Sequence, residues 1–163
     1  MIRRNPPSSR KVMTSLLPWL TAPLILGSVG CQDYKWRWDF NQAEQDARQQ
    51  GKHLFIFYKW WLNNESNRMH GDVLSDPAVG AQFQDTINLF LEKDSSTEYA
   101  NYMTKYGVTS PPAFVIVAPD GTYYTAAGFI PKDRFIEFAK NAKAGQSPGD
   151  RKSPPAPAKP RQP

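Results

Sequence analysis

The sequence predicts an α/β fold: a central mixed sheet of about four strands flanked by helices. Three observations predict it. The continuous apolar runs 53–58 (HLFIFY) and 113–118 (AFVIVA) suit strands buried on both faces. Polar, helix-like segments alternate with such runs, which implies parallel strands in the sheet and helices on both of its faces. The last two apolar runs are joined by Pro119-Asp120-Gly121, a turn that makes them an antiparallel hairpin.

Each element has its own signal. Residues 41–50 are polar with alanines at 43 and 47, and read as a helix capped by Asn41 and closed by Gly51. The first strand follows at 53–58. Residues 65–73 look helical. Ser75-Asp76-Pro77 is a cap followed by proline in the first turn, so a short helix should run to about Gln84. Residues 87–93 (INLFLEK) form the second strand, and 97–106 a helix closed by Gly107. The third and fourth strands are 113–118 and 122–127. A closing helix runs from Pro131 to Ala142, with Phe135, Ile136 and Phe138 facing inward. Trp36, Trp38 and Phe40 are expected to pack the first helix onto the sheet.

The chain has 163 residues, 40% of them hydrophobic and 13% aromatic, enough for one domain with a true core. Its net charge of +5 sits in the ends. Residues 1–31 hold four cations and no acid, and 143–163 hold five cations and one acid. Residues 32–142 hold eleven cations against fourteen acids, so the domain itself is mildly acidic. A nucleic-acid-binding domain would carry its cations on its folded surface, so nucleic acid is a poor fit. The single cysteine, Cys31, rules out an internal disulfide, a Cys-x-x-Cys motif and a zinc–cysteine site. His53 and His70 are too few for a usual metal site and read as structural or solvated. No cofactor is indicated.

Residues 1–30 have the order of a secretory signal peptide. Arg3, Arg4, Arg10 and Lys11 precede an apolar stretch from about Val12 to Leu26, and small residues follow. The apolar run is shorter than the roughly 20 residues of a membrane span, although an uncleaved anchor stays open as a reading. Ser28-Val29-Gly30-Cys31 resembles the lipobox of bacterial lipoproteins, with Ser28 where that pattern usually has Leu. The resemblance implies lipidation at Cys31 and attachment to a membrane of the cell envelope. A soluble periplasmic or extracellular protein with free Cys31 is the alternative. Residues 31–35 would link this anchor to a domain spanning 36–142. Residues 143–163 form a basic, Pro-rich tail expected to be disordered, either solubilising or touching anionic polymer.

Within the domain, four stretches in order are similar to the thioredoxin superfamily, especially its exported and membrane-tethered branch. They are Gly51-Lys52 before the first strand; Arg68-Met69 with Ser75-Asp76-Pro77-Ala78-Val79; Lys105-Tyr106-Gly107-Val108 with Ser110-Pro111-Pro112-Ala113-Phe114; and Val117-Ala118-Pro119-Asp120-Gly121. The resemblance covers about Trp36 to Lys140. It implies an active site between the first strand and the next helix, and a cis-proline at Pro112 facing it. The two cysteines of that active site would fall at Asn63 and Ser66, where the sequence reads Asn63-Asn64-Glu65-Ser66. Without a thiolate, thiol–disulfide exchange is not expected. The buried acid of many thioredoxins would fall near Phe57. Trp61 stands two residues before Asn63, where the family tends to have Trp directly before the first cysteine, so the loop is shifted by about one residue.

Asn63, Asn64 and Ser66 suit a plain helix cap, or a helix start offering N–H groups to a ligand. Pro111 lacks an N–H, which removes half of the backbone pairing that the family offers an extended peptide; its carbonyl remains. Trp60 and Trp61 either pack under the loop or form an exposed rim for a partner. The sequence thus points to a non-catalytic module that binds an envelope protein or peptide through Trp60, Trp61, Asn63, Asn64, Glu65, Ser66, Pro111 and Pro112. A cysteine-free enzyme using Ser66 or Glu65, and a structural lipoprotein acting through its tail, are the alternatives.

Overall fold

A computed structural model describes residues 34–94 and 98–146. Residues 1–30, where a signal peptide was expected, Cys31, and the expected tail from 147 lie outside the described residues.

The elements run α1 (Phe40–Gln50), β1 (Leu54–Lys59), α2 (Asn64–Arg68), α3 (Pro77–Gly80), β2 (Ile87–Glu92), α4 (Tyr99–Lys105), β3 (Ala113–Val117), β4 (Tyr123–Ala127) and α5 (Lys132–Lys143). The strands form one sheet in the order β2-β1-β3-β4. β1 and β2 are parallel, with Leu54 opposite Ile87, while β3 is antiparallel to both β1 and β4. This is the expected mixed sheet.

Alternation along β1 divides the core in two. Leu54, Ile56 and Tyr58 face α1 and α4, where they meet Phe40, Ala43, Ala47 and Met103. Phe55 and Phe57 face the other layer, with Met69, Val79, Phe83, Phe114 and Phe135. Burying each such side chain contributes about 1.5–3 kcal/mol before chain entropy is set against it. Phe135 is fully buried, with Phe114 4.7 Å away ring to ring. Ile136 and Phe138 are only half-buried, and it is Ala139 and Ala142 that complete the inward stripe of α5.

The caps explain several differences from expectation. Asp39, not Asn41, caps α1: its side chain accepts the Gln42 N–H at 2.9 Å, so the helix begins at Phe40. Gly51 closes it in the left-handed region at φ 61°. The helix expected over 65–73 is broken in character. After Arg68 it continues as a π-helical turn, Met69–Val73, which buries Met69 and Val73 together. Asp76 caps α3 with Pro77 in its first turn, and a 3₁₀ turn, Ala81–Phe83, follows.

The segment before α1 also departs from expectation. Phe40 does pack α1 inward, but Trp36 lies on the opposite layer, against Phe55, Phe57 and Phe90, and Trp38 is exposed. The reason is a short fifth rung on the sheet. The Arg37 N–H donates to the Asn88 carbonyl at 2.8 Å, and the Phe90 N–H donates to the Arg37 carbonyl at 2.9 Å. The buried Asn88 amide also donates to the Tyr34 carbonyl at 2.6 Å. The segment therefore crosses the β2 edge instead of lying under α1.

Candidate functional site

The C-terminal end of β1 runs into the loop 60–63 and then α2. A turn, closed by the Asn63 N–H donating to the Trp60 carbonyl at 2.9 Å, reverses the chain. Asn63 caps α2, its Oδ1 accepting the Ser66 N–H at 2.8 Å. Ser66 is fully buried, and its Oγ accepts the Trp60 backbone N–H at 3.3 Å. The side chain of Asn67 ties the loop from outside by donating to the Trp61 carbonyl at 2.7 Å. The cap reading thus describes Asn63, and Ser66 is a brace within the loop. Asn64 and Glu65 are exposed.

Trp60 is half-buried and held from two sides. Its indole N–H donates to Asp94 Oδ2 at 3.1 Å, and Lys93 Nζ lies 3.8 Å from its ring centre. Trp61 and Leu62 behave otherwise: they are 57% and 69% exposed.

The Pro111–Pro112 peptide is cis, as the sequence led us to expect. Pro112 is buried, and its carbonyl accepts the Gly128 N–H at 2.8 Å. The segment after β4 then packs on α2 and the π turn: the Ile130 N–H points at Met69 Sδ at 3.2 Å, and Arg68 lies over Phe129. Among the described residues no donor reaches the Pro111 carbonyl.

Trp60, Asn63 and Pro111 come together along one groove of about 600 Å³, completed by Lys93, Tyr99, Met103 and Val108. Trp61, Asn64, Glu65, Ser66 and Pro112 do not line it. Sequence reasoning missed the α4 wall, because Tyr99 and Met103 follow Trp60 by some forty residues and carry only a helix signal. Tyr99 is buried and its hydroxyl is pushed up to about 12, first by burial and then by Asp94, so it stays protonated. Its hydroxyl has no partner among the described residues.

A second cavity of about 340 Å³ lies at the other end of the sheet, beside the 119–121 turn. Two of the three cations that line it are engaged, since Arg48 and Lys105 both pair with Glu44 Oε1. Among the described residues no three His, Cys, Asp or Glu side chains converge as a metal site. No helix among them is long and apolar enough to cross a membrane.

A four-stranded mixed sheet between two helical layers, with a cis-proline turn facing the loop after the first strand, defines a domain of the thioredoxin class. The chain belongs to that family: residues 40–143 match the thioredoxin-like domain. Among solved structures, it is similar to a thioredoxin from Thermus thermophilus at 21% identity and TM-score 0.57, covering 65% of this chain and 84% of that one. It is also similar to the reduced DsbD C-terminal domain of Neisseria meningitidis, at 18% identity and TM-score 0.56, covering 63% and 92%. A putative disulphide-isomerase from Bacteroides thetaiotaomicron aligns at 21% identity and TM-score 0.54, covering 65% and 88%. These likenesses speak for the fold alone. A search among curated proteins gave no match.

Proposed function

We propose that this chain is a redox-inactive thioredoxin-like module of the bacterial cell envelope, held at a membrane through a lipid on Cys31. It binds a protein or peptide segment beside the former active-site loop. The observation that carries the reading is the combination of a lost nucleophile with a kept groove. Position 63 holds a capping asparagine, which is no nucleophile, and position 66 a buried serine whose Oγ, among the described residues, meets the Trp60 N–H and no base. Beside them the groove keeps an apolar floor of Trp60, Met103, Val108 and Pro111. The Pro111 carbonyl, to which no described donor is bonded, offers one acceptor to a partner backbone, and exposed Trp61 and Leu62 offer apolar contact at the rim.

In-cell photo-crosslinking tests this. A crosslinker at position 64 is compared with one at position 140 on the exposed face of α5. Discrete protein adducts from 64 and not from 140 support the reading. Absence of adducts from 64 in a well-expressed, exported chain overturns it and leaves the basic tail as the working part.

A further inference from the structure

The described residues expose three large hydrophobic side chains, and two of them, Trp61 and Leu62, belong to the loop already discussed. The third is Trp38, 64% exposed. We propose that the face around Trp38 rests on the surface of a lipid bilayer, with the indole at headgroup depth. This inference rests on the reading of Cys31 as a lipidated anchor.

Trp38 is fixed in place. Its ring lies 4.8 Å from that of Phe90 in β2. The backbone beside it is bonded to β2 through Arg37, and the Asn88 amide holds Tyr34 four residues earlier. The ring therefore sits on a rigid platform. Around the same Phe90 stand the His70 ring, 5.9 Å away, and Lys59 Nζ, 6.0 Å from the ring centre. Glu92 is the register partner of Lys59, so these two charges offset each other beside the indole. An indole, with an apolar body and one N–H, is the side chain best suited to the boundary between headgroups and acyl chains.

Chain length supplies the second argument. Only three peptide steps separate Cys31 from Tyr34, the first described residue of the platform, so an acyl anchor at Cys31 holds Tyr34 within about 10 Å. That reach is close to the thickness of one headgroup layer, roughly 5–8 Å. Trp38 follows four residues later on the same edge. A domain tethered this closely must turn some part of that edge to the lipid, and Trp38 is the exposed large apolar group there.

The test uses the full chain purified from membranes and reconstituted into vesicles of phosphatidylethanolamine and phosphatidylglycerol carrying brominated acyl chains. Mass spectrometry first establishes whether Cys31 carries acyl groups. Four tryptophans follow Cys31, at positions 36, 38, 60 and 61. Bromolipid should quench part of their fluorescence. Trp38→Phe, which keeps a ring on Phe90, should remove most of that quenching, whereas Trp61→Phe should leave it in place. Acylated protein whose quenching is absent, or survives Trp38→Phe unchanged, overturns the Trp38 surface and leaves the anchor standing. A crosslinker at position 38 that captures a protein instead of lipid does the same. Unacylated Cys31 in the mature protein overturns both together.

Discussion

The Ser66 hydroxyl accepts the backbone N–H of Trp60 at 3.3 Å, closing the loop that in catalytic relatives of this family carries the thiols. Ser66 is fully buried, so its oxygen serves the loop and not the solvent. Ser66→Ala strands the half-buried Trp60 N–H and should cost about 1 kcal/mol. Urea unfolding reads this as a lower midpoint with an unchanged slope. A variant as stable as the parent would mean that the bond is worth nothing.

The resemblance implies that Asn63 and Ser66 stand where the family has its two cysteines, and the spacing can be tested. Asn63 is the cap and Ser66 the third helical residue of α2, joined through a 2.8 Å side-chain bond. With Cys31 changed to Ser, the pair Asn63→Cys and Ser66→Cys should form a disulfide in oxidising buffer. Maleimide labelling of the folded protein should be absent until a reductant is added. In the reduced form, the thiol at 63 should titrate below the free value of about 8.5, because it sits at a helix start. Two persistently free thiols would show that the loop has moved away from the family geometry.

Asn88 is a buried amide that satisfies the Tyr34 and Phe83 carbonyls at 2.6 and 3.1 Å. Its Oδ1 also accepts the Thr86 hydroxyl at 2.5 Å. Asn88→Ala takes the amide donor away from the Tyr34 carbonyl, while the Thr86 hydroxyl still donates to the Phe83 carbonyl at 2.9 Å, and should cost about 2 kcal/mol. It should also free the segment before α1, read as faster proteolysis ahead of Phe40. Stability loss without faster cleavage there would separate the two roles.

Both imidazoles sit below their ordinary value of 6.5. Partial burial is the first cause at each; Lys143 adds to it at His53, and Lys59 at His70. Asp85 and Asp120 oppose the shift at His53, and Glu92 opposes it at His70. A depressed histidine binds its proton more weakly when folded. Between the folded and unfolded values the unfolded chain holds more protons, so stability falls as pH drops through about 6.5 and levels off below the folded values. Unfolding midpoints measured from about pH 7.5 to about pH 5 should show this decline. The double variant His53→Gln, His70→Gln should flatten it; an equal decline in that variant would assign it to other groups.

Much of the fold was legible because its signals are local. The run 53–58 lacks alternation, and that is what a strand covered on both faces requires. Gly51 and Pro77 stop and start helices through their own backbone limits. The cis-proline turn followed from family resemblance, since Pro111-Pro112 alone does not fix the isomer. What was illegible depends on distant partners. Asp39 rather than Asn41 caps α1 because only Asp39 reaches the Gln42 N–H. Trp36 and Trp38 look alike in sequence, and their different fates come from the bridge to β2. At the site, Asn63 and Ser66 were readable as positions, but the wall supplied by Tyr99 and Met103 is a product of tertiary packing.

The bridge at the β2 edge has a mechanical consequence. With the anchor proposed at Cys31, a pull on the tether would reach the domain at the edge of its sheet. Arg37 and β2 run parallel, with hydrogen bonds on either side of Leu89 and the Asn88 amide alongside. Tension along the strand axis loads these bonds together, as in a lap joint under shear, instead of opening them one by one. The first part to yield would be the bridge, and with it the Tyr34 and Trp36 rings that this segment packs against Phe83 and Phe55, with the four-stranded sheet still intact behind it.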